Sequence, residues 1–304
     1  MPSQASLAAA NGGGTHGIEP ALESLLNRSM LRVDVVAEQT LCGHWFMDEP
    51  HYHCGLFHLT GQGRCRVESG RLDRALALEA GDLVVFPHGD PHCLRAAAAT
   101  GENAMDTTSL ICGELHFAGR GGNPLGRALP PCFVVRAQEA GDIFRQLSAM
   151  MVEVSASRGA GRQVLLNKLA DALFTLAVCD YASRHAEQRG LFAALADSRL
   201  GRVLQAVHEE PGRDWTMQSM AALACLSRSS FAERFTQRLG MPPLQYVTQW
   251  RVSLAERMLQ ERELSVAHIA ERLGYRSEAA FRRLFKRVSG TSPGRLRATA
   301  AAAG

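Results

Sequence analysis

Four histidines in the first third of the chain have the residue type and spacing of a metal site. His51 and His53 alternate, so on an extended strand both imidazoles lie on the same face. His58 and His92 follow. A neutral imidazole binds Zn, Fe, Ni and Cu, so the four side chains predict a divalent metal centre. The alternative is a structural role, because His58 shares the face of His53, five residues earlier, only if the intervening chain bulges.

Cysteines offer a second chemistry, which is thiol oxidation. The chain has eight of them, and Cys42, Cys54, Cys93 and Cys112 lie in the same region as the histidines. Cys54 and Cys93 each follow a histidine directly, and a neighbouring imidazolium or metal ion favours the reactive thiolate. These four thiols are therefore the predicted redox sites. The alternative for each is a buried, inert thiol that packs as a small apolar side chain.

A third pattern occurs twice near the carboxyl end of the chain and predicts contacts with DNA. Ser227 and Ser277 are each followed by phenylalanines four and eight residues later. The two pairs are Phe231 with Phe235, and Phe281 with Phe285. Because residues four apart share one face of a helix, each pair anchors its helix to a core. The opposite face is then free to enter the major groove of DNA.

The free faces of these two helices carry side chains that can contact bases. Arginine pairs bidentately with guanine, and glutamate accepts a hydrogen bond from cytosine or orients an arginine. The predicted DNA-binding residues are Arg228, Ser229, Ala232, Glu233, Arg276, Glu278, Ala279, Arg282 and Arg283. The alternative for any single one is a solvated surface position, whereas the set as a whole favours DNA. Ala232 and Ala279 are too short for long-range contacts, so the bases that are read stay open.

The distribution of charge along the chain also favours DNA binding by its C-terminal part. The net charge is +3, but residues 198–297 carry 17 basic and 9 acidic residues, against 16 and 21 in the residues before them. A positive field of this kind attracts polyanions, of which nucleic acid is the commonest, although basic segments also bind membranes.

Composition excludes several classes of protein. Hydrophobic residues make up 46% of the chain, and no apolar run reaches the roughly 18 residues of a membrane span. Residues 1–17 lack the pattern of a secretory signal, so we expect a disordered tail, a cytoplasmic protein, no membrane partner and reduced cysteines. Neither a phosphate-binding loop nor a catalytic triad nor zinc-finger spacing occurs. We therefore predict that the protein is not an enzyme.

The elements that must position these residues fall into two blocks. Between Leu31 and Val135, short apolar runs broken by Gly, Pro and Asp predict the strands of a barrel or sandwich. Apolar residues at steps of three and four predict helices at 139–157 and 162–183. The second helix is apolar over most of its circumference, which fits burial on two sides or a dimer interface. A connector at 184–195 leads to the second block.

Caps and stops predict only helices in the second block. The predicted N-caps are Thr216, Ser227, Ser265 and Ser277. The predicted stops are Gly240, Gly274 and Gly290. Pro243 opens a long helix to about residue 261. The block is therefore predicted to contain two helix-turn-helix units joined by one long helix.

The segment from Gly81 to His92 resembles the second half of the cupin signature, Gly-x5-Pro-x-Gly-x2-His. Its Gly and Pro residues predict a tight turn that directs His92 into a barrel. The match fails at Ala96, where cupins often have Asn, and His58 stands where many cupins have Glu.

The last hundred residues closely resemble the AraC-family transcription regulators. The shared motifs are Ser227-Arg-Ser-x-Phe, Gly240-Met-Pro-Pro-Leu-Gln-Tyr, Trp250-Arg251, Ala255 with Leu259, Ile269-Ala270, Gly274-Tyr275, Phe281-Arg-Arg-Leu-Phe-Lys and Gly290-Thr-Ser-Pro. The resemblance implies that the two units enter successive major grooves on one face of DNA. It also implies that Trp250, Ala255 and Ile269 are structural and that Arg251 supports the long helix. Some regulators of this family carry a cupin-type sensor and respond to oxidants.

The predicted fold class is α+β, with an N-terminal cupin-like β-barrel and helical pair followed by an all-α domain with two helix-turn-helix units. The predicted boundaries are 1–17 for the tail, 18–137 for the cupin-like sensor domain, 138–190 for a helical dimerisation or packing segment, and 198–297 for the DNA-binding domain.

The predicted function is sequence-specific transcription regulation, controlled by a small molecule, a metal or an oxidant sensed in the cupin domain. The expected partners are double-stranded DNA, RNA polymerase and a second copy of the chain. The rival is a cupin metalloenzyme with a helical partner-binding domain. The absence of Glu from the usual ligand position, and of a separate general base or nucleophile, argues against that rival.

Overall fold

The computed structural model describes residues 18–29, 31–97, 107–117, 123–261 and 263–302. The predicted tail at 1–17 lies outside these ranges. None of the helices in the described ranges combines the length and the apolar character that crossing a bilayer requires.

The strands form two antiparallel sheets. Their bounds are β1 Leu31–Cys42, β2 Phe46–Glu49, β3 Gly55–Gln62, β4 Arg64–Ser69, β5 Leu76–Glu79, β6 Leu83–Phe86, β7 His92–Ala96, β8 Thr107–Phe117 and β9 Phe133–Val135. The larger sheet has the order β1-β8-β3-β6-β9 and the smaller sheet β2-β7-β4-β5. The predicted strand region is confirmed at both ends. Within the described residues the strands form two separate sheets and no closed barrel, because the edge strands of one sheet do not pair with those of the other.

The two sheets face each other across an apolar core. This core contains Leu56, Cys65, Val67, Leu78, Val84, Phe86, Leu94, Leu110 and Cys112. The opposite face of the larger sheet packs against helices in a second core, which includes Leu59, Val85, Ile111 and Leu115. Strand β8 therefore contributes to both cores, since successive side chains of a strand point to opposite faces.

In the part of the chain that the structure describes, five helices accompany the sheets. They are α1 Glu19–Ser29, α2 Pro124–Ala128, α3 Gly141–Ala156, α4 Arg162–Arg184 and α5 Leu191–Ala196. The two predicted helices match α3 and α4, while α1, α2 and α5 are not among the predicted elements. Helix α3 buries Phe144, Ser148 and Met151. Ile143 and Met150, which belong to the predicted apolar stripe, are exposed.

The second block is helical throughout the described residues. Its helices are α6 Leu200–Glu209, α7 Met217–Leu223, α8 Arg228–Leu239, α9 Pro243–Glu261, α10 Val266–Arg272, α11 Glu278–Ser289 and α12 Pro293–Ala302. Each of the four predicted N-caps accepts a hydrogen bond from the backbone N–H three residues later. Gly240, Gly274 and Gly290 have φ of 78°, 79° and 75°, the left-handed conformation that ends helices.

Helix α1 connects the two blocks. It precedes the first strand in sequence, yet it packs against α5 and α6. Its buried residues include Ala21, Leu22 and Leu25. Gly201 of α6 allows the close contact between α5 and α6, because a Cβ there would lie 2.5 Å from the carbonyl oxygen of Leu195. The N-terminal helix is therefore part of the core that continues into the helical block.

Candidate DNA-binding surface and sensor site

Helices α8 and α11, here called the reading helices, are the second helices of the two helix-turn-helix units. Phe231 and Phe235 are at most 1% exposed, with ring centroids 5.6 Å apart. Phe281 and Phe285 are fully buried at the same centroid distance of 5.6 Å. The predicted phenylalanine anchors are confirmed, so each reading helix turns its opposite face to solvent.

The predicted DNA-binding residues lie at the beginning of the reading helices. The exposed ones are Arg228, Ser229, Glu233, Arg276, Ala279, Arg282 and Arg283, and the half-buried ones are Ala232 and Glu278. In helix-turn-helix proteins the N-terminal residues of the second helix contact base edges. Eight of the nine residues lie in the first half of a reading helix, and Arg276 lies in the turn before α11. Their contact with DNA stays a prediction.

The arginines of this surface differ in their partners. Arg282 forms an ion pair with Glu278 one turn earlier, with Nη2 to Oε1 at 2.5 Å. Arg228, Arg276 and Arg283 form no hydrogen bond or ion pair with any described residue. Their guanidinium groups are therefore available to bases or phosphates, and Arg282 is the one that a glutamate orients.

Arg251 of α9 fixes the first unit relative to the second. Its Nε donates to the carbonyl oxygen of Pro211, and its Nη2 donates to that of Arg213, both at 2.7 Å. The guanidinium also lies 5.4 Å from the ring centroid of Tyr275, in the turn before α11. These contacts confirm the structural role predicted for Arg251, because its donors are directed into the protein.

Gly212 and Gly274 allow the loop that contains Pro211 and Arg213 to contact the second unit. Gly274 has φ of 79°, and a Cβ there would lie 2.2 Å from the carbonyl oxygen of Gly212. A side chain at either position would separate the loop from the turn between α10 and α11. The two units are therefore joined by close backbone contact as well as by α9.

An ion pair that the sequence did not predict holds the first reading helix. Arg234 of α8 donates from Nε and Nη2 to Oδ2 of Asp197, at 2.8 and 2.6 Å. The other carboxylate oxygen of Asp197 accepts from the backbone N–H groups of Arg199 and Leu200 at the start of α6. Burial alone would raise the pKa of Asp197, but Arg234 and these N–H groups lower it. The sequence signal that could have indicated this role of Asp197 is its residue type, which is common at N-caps, just before an apolar helix.

The structure brings together two of the four predicted metal ligands. His58 and His92 are buried between the sheets, with their Nε2 atoms 2.7 Å apart. His58 Nδ1 is 3.0 Å from the Sγ of Cys112, and His92 Nδ1 is 2.8 Å from the carbonyl oxygen of Asp90. Burial, and secondarily His92, lowers the pKa of His58 to about 3, and burial lowers the pKa of His92. Both imidazoles are therefore neutral at pH 7.

This arrangement does not fit a four-histidine metal centre. His51 and His53 are exposed, with ring centroids 6.2 Å apart. Both ring nitrogens of His58 and His92 are engaged by other atoms of the protein. Nitrogen ligands of one tetrahedral ion lie about 3.3 Å apart, farther than the hydrogen-bonded pair. The pair is explained as part of a hydrogen-bonded chain from Cys112 through both histidines to Asp90.

The four predicted redox cysteines lie in different environments. Cys42 is exposed, Cys54 and Cys93 are half-buried, and Cys112 is buried. Burial raises the pKa of Cys54, and it raises the pKa of Cys112 to about 12. A neighbouring imidazolium therefore does not favour the thiolate at Cys54, because burial and the nearby Glu114 act in the opposite direction.

A pair of sheets followed by two helix-turn-helix units with outward-facing arginines defines a DNA-binding regulator with an additional N-terminal domain. Comparison with protein families agrees with both parts. A cupin family model matches residues 21–183, and a helix-turn-helix domain model matches residues 220–299.

Similar proteins identify the family. An AraC-like transcription regulator of Streptomyces lividans is 30% identical over 304 residues, which cover 92% of this chain and 97% of the relative. The RCS-specific HTH-type transcriptional activator RclR of Escherichia coli K12 is 29% identical over 245 residues, covering 79% of this chain and 83% of the relative. The chain therefore belongs to the AraC family of DNA-binding transcription regulators and has an N-terminal cupin domain.

Among solved structures, the DNA-binding domain of AdpA in complex with a target DNA is similar to the C-terminal block. It is 35% identical and covers 34% of this chain and 92% of its own, with a TM-score of 0.33.

Proposed function

We propose that this chain is a homodimeric, sequence-specific regulator whose DNA binding responds to a signal received by its cupin domain. The observation that carries this proposal is the position of α1. This helix ends at Ser29, two positions before the first residue of β1, and its apolar face is buried against α5 and α6. A change in the cupin sheets would therefore act on the first helix of the DNA-binding block. The proposed partners are double-stranded DNA, a second copy of the chain and RNA polymerase.

Two further contacts join the blocks near the first reading helix. Arg127 of α2 donates from Nη1 to Oε1 of Gln249 in α9, at 3.1 Å. The backbone N–H of Gly190 donates to the carbonyl oxygen of Arg238 in α8, at 2.8 Å. Signals are transmitted when a ligand binds one arrangement of such contacts better than another. These contacts support a signal path from the cupin domain to α8 and α9.

The nature of the signal is proposed from the side chains of the cupin domain. A small molecule, a metal ion and an oxidant are the three candidates. An exposed thiol such as Cys42 is accessible to an oxidant. Oxidation of Cys112 would remove the hydrogen bond that its thiol shares with His58 in the core between the sheets. The thiols therefore make oxidant control directly testable.

Oxidant control is tested with the full chain and its Cys→Ser variants at 42, 54, 93 and 112. We expect the oxidant to change the affinity of the wild-type protein for a DNA fragment selected from genomic DNA. At least one of the four variants should lose that response. Cys179→Ser, a half-buried thiol of α4, is the matched control and should respond as wild type does. An unchanged response in all four variants would exclude these four thiols as the sensor. A wild-type protein that does not respond would remove the oxidant and leave the other two signals.

The dimer is proposed from an exposed apolar surface on α3 and α4. Ile143 and Met150 of α3 are 66% and 47% exposed, and Val164 and Leu165 of α4 are 65% and 47% exposed. Val164 and Leu165 are adjacent in the sequence, and large apolar side chains with this exposure are found at interaction surfaces. All four lie in the segment 138–190 that the sequence predicts for dimerisation.

Replacing Val164 and Leu165 together by glutamate is expected to dissociate the dimer. Each substitution puts a charge into the apolar interface, so the dissociation constant should rise at least about tenfold per position. Analytical ultracentrifugation measures the change. Phe46→Glu, at a 72% exposed position in the smaller sheet, is the control and should remain dimeric. A monomeric wild-type protein, or an unchanged double variant, would contradict this interface.

A further inference from the structure

We propose a second kind of metal site in the cupin domain, formed by Cys54, Glu114 and His116. The thiol sulfur, a carboxylate oxygen and an imidazole nitrogen of these residues all lie within 4.8 Å of one another. His116 Nε2 is 3.0 Å from Oε2 of Glu114. The site would bind a borderline divalent cation of the Zn²⁺ class, and it is separate from the buried His58 and His92 pair.

The larger sheet positions all three side chains. Glu114 and His116 are two residues apart on β8, so they lie on the same face of the sheet. Gly55, which follows Cys54, pairs with Leu115, and Leu56 pairs with Glu114. The same antiparallel register continued by one residue sets Cys54 beside His116. Glu114 and His116 are therefore held by paired backbone, and Cys54 directly precedes a paired residue, which gives the rigid support that a metal site requires.

The donor atoms select the class of cation. Cysteine sulfur, histidine nitrogen and glutamate oxygen are the usual protein ligands of Zn²⁺, at about 2.0 to 2.3 Å from the ion. Ligand atoms around such a tetrahedral ion are about 3.3 to 3.8 Å apart, which side-chain rotation within the cluster can reach. A thiolate and a carboxylate together balance the charge of a divalent cation. Mg²⁺ and Ca²⁺ are disfavoured because they prefer oxygen ligands only.

Asp34 lies beside the site. Its Oδ2 lies 3.6 Å from His116 Nε2 and 2.7 Å from Nε of Arg32, and its Oδ1 accepts from Asn167 of α4. Asp34 also pairs with Glu114 across β1 and β8. Asp34 therefore adds a negative charge beside the nitrogen of His116 that faces Glu114, which favours a cation at this position. The three protein ligands leave one coordination position for water or another small ligand.

The same geometry has a simpler explanation, which is an ion pair between His116 and Glu114 beside a half-buried thiol. The two explanations differ in what happens to the sulfur. A bound metal ion replaces the thiol proton and gives a metal–thiolate bond, whereas an ion pair leaves the thiol unchanged. Metal binding is measured without DNA, so its outcome does not depend on the proposed regulatory function.

Titration of the full chain with Co²⁺ tests the site, because Co²⁺ bound to thiolate gives a charge-transfer absorption in the near ultraviolet. We expect this band in the wild-type protein and its loss in Cys54→Ser. Glu114→Gln and His116→Ala should weaken Co²⁺ binding at least about tenfold. Cys93→Ser, a half-buried thiol on β7, is the matched control and should keep the band.

Two results would overturn the site. One is the absence of a thiolate band from the wild-type protein, and the other is an undiminished band in Cys54→Ser. His92→Gln distinguishes this site from the buried histidine pair, since it should keep the band. Circular dichroism of each variant checks folding, and Glu114→Gln preserves the side-chain shape if another variant does not fold.

Discussion

The double variant Arg228→Ala with Arg283→Ala is expected to bind a specific operator more weakly than wild type by about 2 to 6 kcal/mol. One arginine lies on each reading helix, both are exposed, and neither is paired with a described residue. Loss of one base-contacting arginine costs about 1 to 3 kcal/mol, and distant sites add. The operator is obtained by selecting genomic fragments with the purified protein, and affinity is measured by fluorescence anisotropy at fixed salt.

The control for charge is the double variant Arg64→Ala with Arg66→Ala. Both arginines are exposed on β4 of the cupin domain, so the variant removes the same charge from the other block. It should bind the operator within about threefold of wild type, an effect below 1 kcal/mol. A random duplex separates two roles for Arg228 and Arg283. Equal losses on operator and random DNA would assign both arginines to phosphate contacts, because those carry no sequence information.

Glu256→Gln is expected to raise the free energy of unfolding at pH 8 by about 3 kcal/mol. Glu256 lies in α9 and is 2% exposed, and its Oε2 has no partner among the described residues. Burial raises the pKa of this carboxyl from 4.5 to about 7. One pKa unit corresponds to about 1.4 kcal/mol, so a shift of this size means that ionising Glu256 destabilises the folded state by about 3 kcal/mol. Glutamine keeps the shape and removes the charge.

The sign of this effect fixes its pH dependence. The folded state holds the proton of Glu256 up to about pH 7, whereas the unfolded chain releases it near 4.5. The contribution of Glu256 to the free energy of unfolding of the wild type therefore falls as the pH rises from about 4.5 to about 7, and it is constant above that range. Denaturant titrations should show a gain of about 1 kcal/mol at pH 5 and about 3 at pH 8. Glu263→Gln, an exposed position after α9, should show neither gain. An equal effect at both pH values would contradict burial as the cause.

Local signals in the sequence were sufficient to predict most helices of the C-terminal block. The N-caps Ser227 and Ser277 and the stops Gly240 and Gly290 act within one turn of the backbone, so residue type alone indicates them. The phenylalanine pairs follow from helical periodicity in the same way. Periodicity was less informative for α3, because more apolar residues occur there than one face needs. Ile143 and Met150 therefore lie outside the buried face.

Contacts between distant residues could not be predicted from the sequence. Helix α1 packs against α6, about 180 residues later in the chain, and Arg234 pairs with Asp197 across two helices. Spacing grouped His51 with His53 and His58, whereas His51 and His53 are exposed in the segment between β2 and β3 and His58 is buried. The register of β3 and β8 sets Cys54 beside His116. The metal and redox residues remain predictions for this reason. The predicted DNA-binding residues also remain predictions, although local packing determines the orientation of the two helices that carry eight of them.

The central claim is that α8 and α11 contact DNA as a linked pair in successive major grooves. Hydroxyl-radical footprinting of the full chain on a selected operator tests it most directly. We predict two protected segments per binding site of one subunit, centred about 10 base pairs apart on one face of the duplex. Arg228→Ala should weaken protection of one segment and Arg283→Ala that of the other. A single protected segment, or equal loss over the whole footprint in both variants, would contradict the claim.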